Sequence, residues 1–298
     1  MITLEKVCKE YKGCPAVEQL SLQIQPGEIF GLVGPDGAGK TTTLRMITGV
    51  IGIDAGTITV LGTQNIEKIK DHIGYIPQKF SLYGDLTVQE NIQFIGSMYG
   101  ADNAQIAIAS EEILRFTNLF PFRDRLADQL SGGMKQKLAL AAGLMHKPKI
   151  FFLDEPTTGV DPVSRREFWQ MLYKLNKDGM TIVVSTPYMD EAELCSRVAF
   201  LHHGKMVSCD TPAKLRAAYP HQVLELTTTA KNIGSYLQDC PVLDSNPFGA
   251  KYHLIVNDAA VAAPAVTAAL TKAKIPITSL RLIAPTLEDV FVELAGDH

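Results

Sequence analysis

Nothing in this sequence restricts the fold more than the segment from Gly34 to Thr41. Gly34, Pro35, Asp36, Gly37, Ala38, Gly39, Lys40 and Thr41 follow the pattern G-x-x-x-x-G-K-[ST]. The apolar run Glu28–Val33 before it reads as a short strand. Leu44 and Ile47 after it sit at helical spacing. A glycine-rich turn between strand and helix lets backbone N–H groups face an anion, and the helix start adds its positive dipole end. Lys40 then reaches the terminal phosphates of a nucleotide as a point charge, Thr41 offers a hydroxyl to Mg²⁺, and Thr42 extends the cradle into the helix. The competing reading is a glycine turn that carries Lys-Thr by chance. The strand and helix on either side favour the phosphate cradle.

A second feature supports the same chemistry. Ile150–Leu153 is a short apolar run, read as a buried strand, and it ends in Asp154 and Glu155. A carboxylate at the end of such a strand can hold Mg²⁺ directly or through water. Its neighbour can polarise a water for attack on a γ-phosphate. On its own the pair could equally cap the next helix. A third feature is Leu130, Ser131, Gly132, Gly133 and Met134 ahead of a helical run, Lys135–Leu144. Ser131 can cap that helix, and the glycines let an anion approach its start. Spacing alone leaves a plain helix start open.

Composition narrows the partners. The chain has 298 residues, which suits two unequal domains, and a net charge of −4. No basic footprint recruits nucleic acid, and no nucleic-acid partner is expected. The N-terminal residues alternate apolar and charged, unlike a secretory leader, and no apolar run approaches the ~20 residues that span a bilayer. Cys8, Cys14, Cys195, Cys209 and Cys240 are scattered without zinc-like spacing and read as reduced thiols.

Along the chain, Ile2–Val7 and Leu20–Gln25 alternate like strands. Thr87 to Ala142 is largely helical. Phe168, Met171, Leu172 and Leu175 mark a helix with Gly179 as its end cap, and Thr181–Ser185 is a further buried strand. This alternation favours a parallel α/β core. Composition shifts near Tyr219 and Pro220. Beyond them the expected order is strand Val223–Thr228, helix Asn232–Gln238, strand Tyr252–Val256, helix Ala259–Lys272, strand Ile277–Ile283 and a last helix from Thr286.

Taken together, Gly34–Thr41, Leu130–Met134 with its helix, and the run Phe151–Asp161 resemble the nucleotide-binding subunit of an ATP-binding cassette (ABC) transporter over about residues 1–218. The resemblance implies an α/β P-loop NTPase core with an antiparallel β-subdomain and a helical subdomain at about 87–145. A small α+β domain at 219–298 would follow. It implies ATP and Mg²⁺ as cofactors, with Thr41, Gln78 and Asp154 at the metal. Glu155 would be the general base, Gln78 the residue that senses metal and attacking water, and Tyr11 the aromatic that stacks on adenine. Ser131 and Gly133, with Gly132 between them in the same binding set, would close over ATP held by a second such domain, and Asp161 would cross the interface between the two. The partners implied are that second ATPase domain, the same chain or a different one, and transmembrane permease subunits. The implied location is cytoplasmic, peripheral on the inner face of the cell membrane, with the surface around Gln78–Glu90 facing the permease. The Leu-Ser-Gly-Gly-Met form and the tail from Ala284 resemble ABC-2 type drug or polysaccharide exporters. A soluble ABC protein acting on ribosomes or DNA, and a regulatory, nearly inactive subunit, are the alternatives.

One position departs from the family. A Ser-Thr-His run is usual after the strand that follows the base, whereas this chain has Ser185, Thr186 and Pro187. Proline has neither an N–H nor a side-chain donor. The expectation is a slowed ATP site on this chain and pairing with a different, competent ATPase domain. His202 and His203, in an apparent hairpin turn before Gly204, read as solvated strand-turn residues and not as substitutes.

Overall fold

The structure, a computed structural model, describes residues 2–100 and 102–296. It divides into two compact units, Met1–Pro212 and Ala213–His298.

The first unit begins with β1 (Ile2–Tyr11), β2 (Cys14–Ile24) and β3 (Ile29–Val33), then α1 (Lys40–Ile47), β4 (Ala55–Val60) and β5 (Ile73–Ile76). Three helices follow: α2 (Val88–Met98), α3 (Asn103–Phe116) and α4 (Gly132–Leu144). The unit continues with β6 (Ile150–Asp154), α5 (Pro162–Lys177), β7 (Thr181–Thr186), α6 (Met189–Ala192), β8 (Arg197–His202) and β9 (Lys205–Asp210). A short helix, α7 (Pro212–Ala217), straddles the division.

A six-stranded sheet in the order β5-β6-β7-β3-β8-β9 forms the centre, parallel except for β9. Strands β3, β6 and β7 are buried at every position, as expected of a parallel sheet covered on both faces. A second, antiparallel sheet, β2-β1-β4, packs into the same core through Ile2, Leu4, Leu22 and Ile24. Helices α2–α4 enclose a separate cluster around Val88, Ile92, Leu114 and Leu138. Thr87 opens α2 with a reciprocal capping box to Glu90.

The second unit holds β10 (Gln222–Thr228), β11 (Asp244–Phe248), β12 (Lys251–Val256), α8 (Ala259–Lys272), β13 (Ile277–Ile283) and α9 (Leu287–Ala295). Its sheet order is β11-β12-β10-β13, all antiparallel. One face packs on α8 through Leu224, Leu226, Leu254 and Val266. Two expectations differ from the structure here. The helix expected over Asn232–Gln238 is only a single 3₁₀ turn, Ile233–Tyr236, because Gly234 interrupts a seven-residue segment and Asn232 enters it left-handed at φ 57°. The segment Asp244–Phe248, outside the expected elements, forms a strand although it contains Pro247. It pairs at the sheet edge, where a missing N–H costs no ladder bond.

The five cysteines are free, and among the described residues no helix is long and apolar enough to cross a membrane.

Candidate nucleotide site

The loop Gly34–Gly39 leaves the buried end of β3 and runs directly into α1. Two of its glycines are required by space. A Cβ on Gly34 would lie 2.1 Å from the Leu201 carbonyl oxygen, and one on Gly39, at φ 98°, would lie 2.5 Å from the Ala16 carbonyl oxygen. The loop is thereby pressed against β8 and β2. The Gly34 amide donates to Thr186 O at 3.3 Å, which fixes the loop to the end of β7. The first amides of α1, those of Lys40, Thr41 and Thr42, have no intrahelical acceptor and face outward from the helix start.

Lys40 is 4% exposed. Its Nζ donates to Gly34 O at 2.8 Å and Pro35 O at 2.9 Å, and lies 3.2 Å from Glu155 Oε1. Thr41 Oγ1 donates to Asp154 Oδ1 at 2.9 Å. Asp154, fully buried at the end of β6, also accepts from Ser185 Oγ at 2.7 Å and Tyr75 OH at 3.4 Å. The Tyr75 phenol is held above its ordinary pKa, first by burial and then by the Asp154 charge. Glu155 is 6% exposed and stands in left-handed backbone at φ 47°. Its amide donates to Ser185 Oγ and Ser185 O, and its Oε2 accepts from Gln78 Nε2 at 2.8 Å. Thus Lys40, Thr41, Gln78, Asp154 and Glu155 converge at the C-terminal ends of β3, β5, β6 and β7, where ligands gather in open α/β sheets.

The remaining expected residues lie elsewhere on the same unit. Pro35, Asp36 and Gly37 are exposed at the crest of the loop, and Ala38 is buried beneath it. Tyr11 ends β1 at 46% exposure, with Lys9 Nζ 5.7 Å from its ring centre. Ser131 caps α4 by accepting from the Met134 amide at 3.3 Å, and both Ser131 and Gly132 are exposed. Gly133 is buried, and a Cβ there would meet Ser164 Cβ at 2.5 Å, so α4 rests on the start of α5. Asp161 caps α5 through the Val163 and Ser164 amides, and these bonds, that from Ser164 foremost, hold its carboxyl below the usual range. The bonds of Ser131 and Asp161 thus serve the starts of α4 and α5 rather than the Lys40 cluster. Pro187 sits half-buried in the turn between Thr186 and Tyr188. Gly204, in the turn carrying His202 and His203, donates its amide to Ala38 O at 3.2 Å.

Two residues of this neighbourhood escaped the sequence reading. Ser185 bridges both acids through its hydroxyl. Glu191, on α6, is buried against Thr157 and Thr186. Parallel strand pairing brings Ser185 beside Asp154, and no local motif announces it.

Residues 17–158 match a family model described as ABC transporter, and residues 211–295 match one described as the C-terminal domain of an ATP-binding protein DrrA1-3-like. The probable multidrug ABC transporter ATP-binding protein YbhF of Escherichia coli (strain K12) is 37% identical over 99% of this chain and 52% of its own length. The chain therefore spans about half of that relative. The linearmycin resistance ATP-binding protein LnrL of Bacillus subtilis (strain 168) is 34% identical over 99% of this chain and 98% of its own. Among solved structures, the dimeric structure of a bacterial ABC transporter cassette superposes with a TM-score of 0.66 at 29% identity. It covers 71% of this chain and 98% of that one.

Proposed function

The chain belongs to the ABC transporter ATP-binding family, and on that premise we propose that it binds and hydrolyses ATP to energise a membrane exporter. The observation that carries the proposal is the convergence of Lys40, Thr41, Asp154, Glu155 and Gln78 at one end of the parallel sheet. The side chains fit the ligands. Thr41, Asp154 and Gln78 offer hard oxygen donors that suit Mg²⁺. The backbone cradle at Gly34 and Gly39 has no room for a side chain and turns amides toward a phosphate. The metal neutralises charge on the phosphates when bound.

In this reading Lys40 and the amides from Gly34 to Thr42 grip the β- and γ-phosphates, and Tyr11 packs on the adenine. Glu155 accepts the proton of the attacking water, which Gln78 orients. Ser131, Gly132 and Gly133 serve the ATP of a second ATPase domain facing this one head to tail, and Asp161 crosses the interface between them. The exporter assignment draws on the names of the relatives and on the DrrA-like match. A groove of about 1020 Å³, lined by Tyr75, Pro77, Leu82, Met98, Tyr99 and His146, lies beside Gln78 and suits a permease segment on the cytoplasmic face.

Pro187 makes the site built on Lys40 slow. Removing one preorganised donor from such a centre costs about 10²–10³ in rate. Phosphate binding is spared, because Lys40 and the loop amides do not depend on it. The partner is then a different ATPase domain with a competent switch residue. The test is turnover of this chain alone and of Pro187→His, with Mg²⁺-ATP affinity measured in parallel. Unchanged affinity with a large gain in turnover supports the reading. A fast wild type that the substitution does not improve overturns the slow site, and absent nucleotide affinity overturns the ATPase assignment.

A further inference from the structure

Glu191 is 1% exposed, and a buried carboxylate persists only when its oxygens are paired. Its two oxygens serve different elements. Thr157 Oγ1 donates to Oε1, and Thr186 Oγ1 donates to Oε2 at 2.6 Å. Arg165 Nε, on α5, lies 3.5 Å from Oε1 and has no hydrogen-bond partner among the described residues. The rest of that guanidinium rests 4.5 Å over the Tyr188 ring and 3.6 Å from Asp190.

Each contact ends on a segment that matters to the chemistry. Thr157 lies two residues beyond Glu155, in a turn closed by the Thr158 amide on Glu155 O and the Val160 amide on Thr157 O. Glu155 itself has φ 47°, a costly conformation for a residue with a Cβ unless its surroundings impose it. Thr186 immediately precedes Pro187, and its hydroxyl also accepts from the Tyr188 amide at 3.1 Å. Arg165 rides on the helix that Asp161 caps. One carboxylate thereby ties together the turn of the base, the turn of Pro187 and the helix that starts at Asp161.

We propose that Glu191 is a positioning residue for Glu155. It acts through Thr157, touching neither nucleotide nor metal, and holds the Glu155–Asp161 turn in the one geometry that aims the base. The proposal deepens the ATPase reading and rests on it for its kinetic consequence.

The test uses the full chain with Glu191→Gln, Thr157→Val and Thr157→Ser. It reads kcat, Mg²⁺-ATP affinity, and backbone hydrogen exchange over residues 155–161. Glu191→Gln and Thr157→Val are expected to lower kcat by about 10- to 100-fold, the scale set by misplacing a catalytic group by about 1 Å. Affinity should stay within about twofold, since the phosphate grip is untouched. Exchange over 155–161 should rise while that of β10–β13 does not. Thr157→Ser, which keeps the hydroxyl, should restore both readouts. Unchanged exchange in Glu191→Gln, or like behaviour of Thr157→Val and Thr157→Ser, overturns the proposal. If the wild type binds no Mg²⁺-ATP, the ATPase reading fails separately, and the exchange data still decide whether Glu191 holds the turn.

Discussion

Lys40 Nζ donates to Gly34 O and Pro35 O and forms an ion pair with Glu155 Oε1 at 3.2 Å. Removing it strands a carboxylate that is 6% exposed. Breaking one half of a buried pair costs about 3–5 kcal/mol, whereas removing both halves costs far less. Urea titration should therefore find Lys40→Met less stable than Lys40→Met combined with Glu155→Gln. Ser185 makes a matching prediction. Ser185→Ala takes one hydrogen bond from the buried Asp154 carboxylate, at a cost of about 1–3 kcal/mol, while the Glu155 amide keeps Ser185 O. Denaturant midpoints check that, and turnover should fall with them. The loop and the acidic pair were legible in the sequence because their chemistry is written in adjacent residues. Ser185 was not, because its partner Asp154 stands opposite it across two parallel strands rather than beside it in the chain. Glu191 was hidden for the same reason, with partners at Thr157 and Thr186 that only the fold brings together.

At the scale of elements, the end of α4 meets β5 and the end of α2 through one ring. His146 Nε2 donates to Ile73 O at 2.9 Å, and its face stacks 4.1 Å from Tyr99. Its Nδ1 is buried without a partner among the described residues, so a second proton would point at none of their acceptors. Burial accordingly holds the ring below its ordinary pKa of 6.5. The sign follows: the unfolded chain takes up a proton first as pH falls, so this ring's contribution is complete above about 6.5 and shrinks below it. Between pH 7.5 and 5.5 the wild type should lose more stability than His146→Gln, read from urea midpoints at the two pH values. The central strands β3, β6 and β7 were legible as short apolar runs and the long helices in their spacing, whereas β5 and the buried β8 were not read as strands. The exceptions are instructive. Asn232–Gln238 carried helical spacing but too few residues and a central glycine, so it closes one 3₁₀ turn only. Asp244–Phe248, unread as an element, carries Pro247 within its strand, which the free edge of the sheet tolerates.

On the scale of the whole molecule, the two units each carry an apolar core of their own. Leu226 is fully buried in the second. Leu226→Ala should cost about 2–5 kcal/mol there. It should leave Mg²⁺-ATP affinity unchanged, as a chemical denaturation curve and calorimetry on the same variant would show. The second unit also carries a cluster that crosses three strands. Glu225 on β10 accepts from Lys251 Nζ on β12 at 2.9 Å and from Arg281 Nε on β13 at 2.8 Å, and these bonds hold its carboxyl below the usual range. Arg281 stands directly opposite Glu225 in the pairing register. Sliding β13 by a single residue would turn the guanidinium to the other face and put an aliphatic side chain in its stead. A mis-threaded β13 would thus leave Glu225 with Lys251 as its one cationic partner, so charge as well as packing selects the register of this strand.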